Sequence, residues 1–150
     1  MEIVVDASVV VKWYLKEEFR EEALNLRDDY ILGGIKLIAP VILPFEVLNA
    51  IRFSKRDIDN ETLINVGESL LYYDISLVPI TKDLLHESIK SCMINGITFY
   101  DATYVSLAKL RRSVLFTADQ KLISRLNSEY KRYVMHIKEY PKFLNQSMED

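Results

Sequence analysis

Residues 1–10 read MEIVVDASVV. Ile3, Val4 and Val5 are β-branched, continuous and too few for a helix, so this stretch reads as a strand. A strand apolar on both faces belongs in a parallel sheet covered on both sides. Asp6 follows with no turn glycine, then Ala7 and Ser8, and the apolar run resumes at Val9, Val10 and Val11. One acid is therefore set into the most apolar part of the N-terminus, just past a strand end. Open parallel sheets gather their ligands at that place, beyond the carboxyl ends of the strands.

The same punctuation recurs along the chain. Short apolar runs at 37–39, 76–80, 114–116 and 133–136 predict four more strands. Helical periodicity predicts segments at 8–15, 18–31, 43–55, 60–73, 82–93, 99–110, 119–126 and 138–144, with Ser8, Asn60 and Thr98 as N-caps. Gly33-Gly34, Pro40 and Asn95-Gly96 supply the stops. Strands alternating with helices, joined by right-handed crossovers, predict one α/β domain over 1–150: a three-layer α/β/α sandwich with a central parallel sheet.

The bulk numbers narrow the partners. Net charge is −3, so no whole-molecule positive field draws in a polyanion; local basic patches or bound metal must do it. The lone cysteine, Cys92, leaves no internal disulfide and suits a reducing cytosol. No apolar run reaches bilayer length, and the start lacks a secretory leader pattern, which predicts a cytoplasmic protein without membrane attachment. His86 and His136 have no zinc spacing. Cys92 reads as a buried helical thiol and His136 as a strand-end surface residue. Phosphate-loop, dinucleotide and nucleophile-elbow motifs are absent from the sequence.

Four acids stand where acids are costly. Asp6 ends the first strand, and Asp119, in LFTAD (115–119), follows the strand at 114–116. Glu46 shares a predicted helix face with Ile42, Ala50 and Phe53; Asp101 shares one with Ile97, Val105 and Ala108. An unpaired carboxylate out of water costs several kcal/mol or takes up a proton. The chain offers Lys12 near Asp6 and Lys121 near Asp119, but nothing near Asp101 before Lys109. A divalent cation is the simplest common partner, and oxygen-only ligands select Mg²⁺ or Mn²⁺. Each acid alone has a plain structural alternative: a first-turn acid serving the helix dipole, a turn former, or a buried structural acid. Ser8 and Thr117 are N-cap candidates. Convergence of all four acids on one sheet edge separates the readings.

At these residues the chain resembles the PIN-domain ribonucleases, and within them the VapC-type toxins of prokaryotic toxin–antitoxin pairs. The matching stretches are VVDASVVVKW (4–13), PFEVLNAI (44–51), TFYDATYVSLA (98–108) and LFTADQKL (115–122), with spacings of 40, 55 and 18 residues from Asp6 to Glu46 to Asp101 to Asp119. The resemblance implies that these four acids are the catalytic, metal-binding quartet, and that Ser8 and Thr117 support it by hydrogen bonds. It implies Mg²⁺- or Mn²⁺-dependent endonucleolytic cleavage of RNA, a homodimer, and a cognate antitoxin that reaches into the acidic groove. Asp6 and Asp101 are then the expected direct ligands, Asp119 a direct or water-mediated one. Glu46 orients the attacking water or completes the shell, and products carry 5′ phosphate and 3′ hydroxyl. Gln120 departs from the pattern where many relatives carry another charge.

Expected RNA contacts are Lys12, with Trp13 beside it, and Arg52, Lys55 and Arg56 on one helix. Lys109, Arg111 and Arg112 form a second cluster, although last-turn cations also serve the dipole. The predicted helices at 18–31 and 60–73 offer Phe19, Leu26, Leu63, Leu70 and Tyr73 as a dimer stripe. The alternatives are a non-catalytic module that binds metal or antitoxin, and an Asp-dependent phosphatase of the haloacid type. The latter wants a second Asp two residues after Asp6, where Ser8 stands. The residues after Lys138 have no predicted role.

Overall fold

A computed structural model describes residues 1–147; the last three residues of the expected domain lie outside the described residues. The elements in order are β1 (Glu2–Val5), α1 (Ala7–Val10), α2 (Arg20–Ile31), β2 (Lys36–Pro40), α3 (Leu43–Ser54), α4 (Asn60–Tyr72) and β3 (Ser76–Val78). There follow α5 (Lys82–Asn95), α6 (Phe99–Arg111), β4 (Val114–Thr117), α7 (Gln120–Arg125), α8 (Ser128–Lys131), β5 (Val134–His136) and α9 (Tyr140–Ser147). The five strands form one parallel sheet in the order β3-β2-β1-β4-β5. This is the predicted α/β/α sandwich.

The order of the strands sets the site. β1 is central, flanked by β2 and β4, and its register pairs Val4 with Leu115 and Val5 with Phe116. Ile3, Val4, Val5, Leu115 and Phe116 are fully buried, as two-sided covering requires. Asp6 and Thr117 are thereby brought side by side at the carboxyl edge, with Asp119 two residues further on.

Several local expectations are corrected. α1 is capped at Asp6, not Ser8, which lies inside the helix. α2 starts at Arg20 rather than 18, because Phe19 takes a left-handed conformation, φ 61°. Asp59, not Asn60, caps α4 by accepting from the Thr62 N–H. Thr98 caps α6 as expected. The inward stripe of α3 is Leu43, Val47 and Ile51, so Ala50 and Phe53 face solvent and Glu46 lies at the margin of the buried face. His136 is buried, packs edge-on against Phe19 at 4.9 Å, and accepts from the Lys138 N–H at Nδ1. Cys92 is half-buried and donates to the Ile97 carbonyl.

The expected dimer stripe is largely internal. Leu26 and Leu70 are buried, and Tyr73 packs on Trp13 at 5.0 Å. The C-terminal segment has a packing role that the sequence did not suggest. Tyr140 and Phe143 both meet Phe116 edge-on, and the Tyr140 hydroxyl donates to Asp29 Oδ2 at 2.8 Å.

Candidate active site

Asp6 is held by backbone geometry at the β1–α1 junction. Its N–H donates to the Phe116 carbonyl at 3.1 Å, and its own carbonyl accepts from the Val9 and Val10 N–H groups. Its side chain is thus released from capping and meets two hydroxyls instead. Asp6 Oδ2 accepts from Thr117 Oγ1 at 2.6 Å and from Ser8 Oγ at 2.8 Å. The same hydroxyls also accept: Ser8 Oγ from the Ala118 N–H and Thr117 Oγ1 from the Asp119 N–H. Ser8 and Thr117 therefore tie the ends of β1 and β4 into one unit, instead of capping helices. Asp119 caps α7, with Oδ1 accepting from the Leu122 N–H at 3.0 Å.

Asp101 and Glu46 come from the first turns of α6 and α3. Thr98 Oγ1 accepts from the Asp101 N–H at 3.1 Å, which fixes where α6 begins and so where Asp101 stands. The four acids feel one another. Asp6 interacts electrostatically with Asp119, Asp101 with both Asp6 and Asp119, and Glu46 with both Asp6 and Asp101.

Burial pushes the Glu46 carboxyl up to about 7, opposed by the approach of the Tyr104 hydroxyl and reinforced by the neighbouring Asp6 and Asp101 charges. Burial likewise raises Asp101 to about 6, reinforced by Asp6 and Asp119 and partly offset by the Thr98 cap and Arg125. Asp6 is raised by burial too, against the lowering effect of the Thr117 and Ser8 hydroxyls. Burial and mutual repulsion thus act together on these carboxyls, and each stands to gain from a cation.

The donor set fits a hard divalent cation. None of the four acids has a salt-bridge partner among the described residues. Glu46 Oε1 is buried and has no hydrogen-bond partner among them. Four acids that act on one another with no salt bridge among them are the chemistry such an ion satisfies. No three His, Cys, Asp or Glu side chains among the described residues close into a finished ligand cage. Mg²⁺ takes few carboxylates directly and keeps several waters, so it needs no such cage.

The basic residues divide. Lys12 is buried, with its ammonium on Glu17 Oε2 at 3.0 Å, and lines a cleft of about 520 Å³ shared with Ser8, Asp119 and Lys121. Arg52 lies in a cleft with Glu46, Phe45 and Tyr100, its guanidinium 5.3 Å from the Phe53 ring. Lys55 and Arg56 are exposed beyond the end of α3. Lys109 is committed elsewhere: it bridges Glu87 and Glu129 at 2.7 and 2.6 Å and lies over the Tyr130 ring. Trp13 is buried and donates to the Ala23 carbonyl, so it cannot stack on a base.

Sequence reasoning missed Tyr104. It is fully buried one helical turn after Asp101, and its hydroxyl faces Asp6, Glu46 and Asp101. The signal was present in DATY, a three-residue spacing that puts Tyr104 on the Asp101 face of α6. A separate apolar groove, lined by Pro40, Ile80, Leu84, Ile89, Phe99 and Tyr100, runs beside the acids without including them.

The chain belongs to the PIN-domain family: the PIN domain family model matches residues 3–127. Among curated proteins it is similar to Ribonuclease VapC3 of Pyrobaculum aerophilum, 26% identical over 128 residues, covering 83% of this chain and 95% of that one. Among solved structures it shares its fold with PAE2754 from Pyrobaculum aerophilum, at TM-score 0.64 and 20% identity over 97% of this chain and 90% of that one. A toxin-antitoxin complex from Klebsiella pneumoniae matches at TM-score 0.59 and 13% identity, covering 86% of this chain and 98% of that one.

Proposed function

We propose that this protein is a Mg²⁺- or Mn²⁺-dependent endoribonuclease, the toxin of a toxin–antitoxin pair, acting in the cytoplasm as a homodimer. The observation that carries the reading is the convergence of Asp6, Glu46, Asp101 and Asp119 on one sheet edge without a protein cation to pair them. The curated relative is named a ribonuclease, and one structural neighbour is a toxin-antitoxin complex, which supports RNA as substrate and an antitoxin as partner.

Asp6, Asp101 and Asp119 would hold the ion, and Glu46 would orient the attacking water or complete the shell. The bound cation supplies neutralisation of the scissile phosphate and a hydroxide near neutral pH. The protein's own part is positional. Ser8 and Thr117 fix Asp6 and the Asp119 backbone, and the Thr98 cap fixes Asp101. A raised carboxyl at Glu46 suits a group that exchanges a proton with water near pH 7. Lys12 lines a cleft with Asp119 and Arg52 one with Glu46, and so both suit the flanking RNA phosphates; Lys55 and Arg56 extend that positive face.

The phosphatase alternative has less support. Ser8 occupies the position of its second acid, and Asp6 Oδ2 already accepts two hydroxyl donors. The homodimer has a candidate surface in the apolar groove beside the cleft, where Ile80, Phe99 and Tyr100 are more than half exposed.

The test is cleavage of single-stranded and structured RNAs with Mn²⁺, Mg²⁺ or EDTA, followed by end analysis. Metal-dependent products with 5′ phosphate and 3′ hydroxyl ends are expected. Ends carrying 2′,3′-cyclic phosphate would overturn the mechanism.

A further inference from the structure

Tyr104 is a buried polar side chain that the mechanism above leaves unused. The residue is 0% exposed, and its hydroxyl approaches the Glu46 carboxyl without closing a hydrogen bond of full geometry there or elsewhere among the described residues. A stranded buried hydroxyl costs about 1–3 kcal/mol, so buried tyrosines ordinarily find an acceptor. Of the three acids this hydroxyl faces, Glu46 keeps an equally buried oxygen, Oε1. The donor and the acceptor thus stand next to each other, and each is the other's interaction partner. The two belong to different helices, α6 and α3, so a bond between them joins the second turn of α6 to the first turn of α3.

We propose that Tyr104 is a positioning residue: its hydroxyl donates to Glu46 Oε1 and holds that carboxylate in the acid cluster, leaving the other oxygen to meet the cation or the attacking water. The role rests on reading the cluster as a cation site. It differs from a packing role, because the phenyl ring alone would fill the same space and phenylalanine would serve as well.

A double-mutant cycle tests it, with Mn²⁺ affinity measured by titration calorimetry on wild type, Tyr104→Phe, Glu46→Gln and the double variant. Tyr104→Phe should weaken Mn²⁺ binding about 10-fold, as loss of a partner behind a metal ligand does. In the Glu46→Gln background the same change should have no further effect. RNA cleavage by Tyr104→Phe should lose about 10-fold in kcat at unchanged KM, with the variant still folded by circular dichroism. Unchanged Mn²⁺ affinity in Tyr104→Phe, or an equal further loss in the Glu46→Gln background, overturns the proposal. The cycle is independent of turnover. Coupling without RNA cleavage would sink the nuclease reading alone, and cleavage without coupling would sink only the role of Tyr104.

Discussion

Glu46 and Asp101 both bind a proton more tightly in the folded chain than in the unfolded one, rising to about 7 from 4.5 and to about 6 from 3.8. Between about pH 4 and 7 the native state therefore holds more protons, and the metal-free protein loses stability as pH rises through that window. Below it both acids are neutral in either state and the penalty is absent. Glu46→Gln should accordingly stabilise the protein at pH 8 in EDTA by about 1–2 kcal/mol, after discounting for solvent screening at the half-open cleft. That gain should vanish at pH 4. Melting curves of the two proteins at both pH values check this, and an equal difference at both would contradict it. Thr117 makes the opposite prediction, since its hydroxyl donates to Asp6 and accepts from the Asp119 N–H in a buried place. Thr117→Val should cost about 1–3 kcal/mol in a denaturant titration, and Thr117→Ser should recover most of it.

At the scale of elements, the site depends on where strands end and helices begin. β1 and β4 were legible because a strand covered on both faces must be apolar throughout, and Ile3–Val5 and Leu115–Phe116 are. Their acids were legible for the same reason, as charges that interrupt such runs. Other features depend on partners distant in sequence and left no local mark. His136 is buried by Phe19, over a hundred residues away, and Lys109 is drawn from the surface by Glu87 and Glu129. The apolar face given to Glu46 on α3 was misread because Ile42, Ala50 and Phe53 form an apolar line as regular as Leu43, Val47 and Ile51. Only packing distinguishes the two. Tyr104 was missed because an aromatic at helical spacing reads as ordinary core. The cap of α6 gives this scale its prediction. Thr98→Ala should lower stability by about 1 kcal/mol, near 2–4 °C in melting temperature, and should reduce cleavage more than an equally destabilising change remote from Asp101.

At the scale of the molecule, an acidic chain must act on a polyanion. On the proposed function, its net charge of −3 predicts weak, salt-sensitive capture of RNA through few cations, and a bound ion would carry the local attraction. The apolar groove beside the cleft is the other whole-molecule feature, with Leu85, Ile89 and Phe99 at 49%, 43% and 55% exposure. If a second copy covers it, Leu85→Asp combined with Ile89→Asp should yield a monomer by light scattering at concentrations where wild type is a dimer. A wild type that stays monomeric at high concentration would contradict the dimer. The central claim, however, is that four acids gathered at one sheet edge make a metal-dependent nuclease. The most direct measurement is cleavage of an RNA panel by wild type and Asp101→Asn, each with Mn²⁺, Mg²⁺ or EDTA and each free of antitoxin. Cutting by wild type that stops in EDTA and falls at least about 100-fold in a folded Asp101→Asn protein is the predicted result. A folded wild type that cuts nothing with either metal, or an Asp101→Asn variant that cuts as well, would contradict the account.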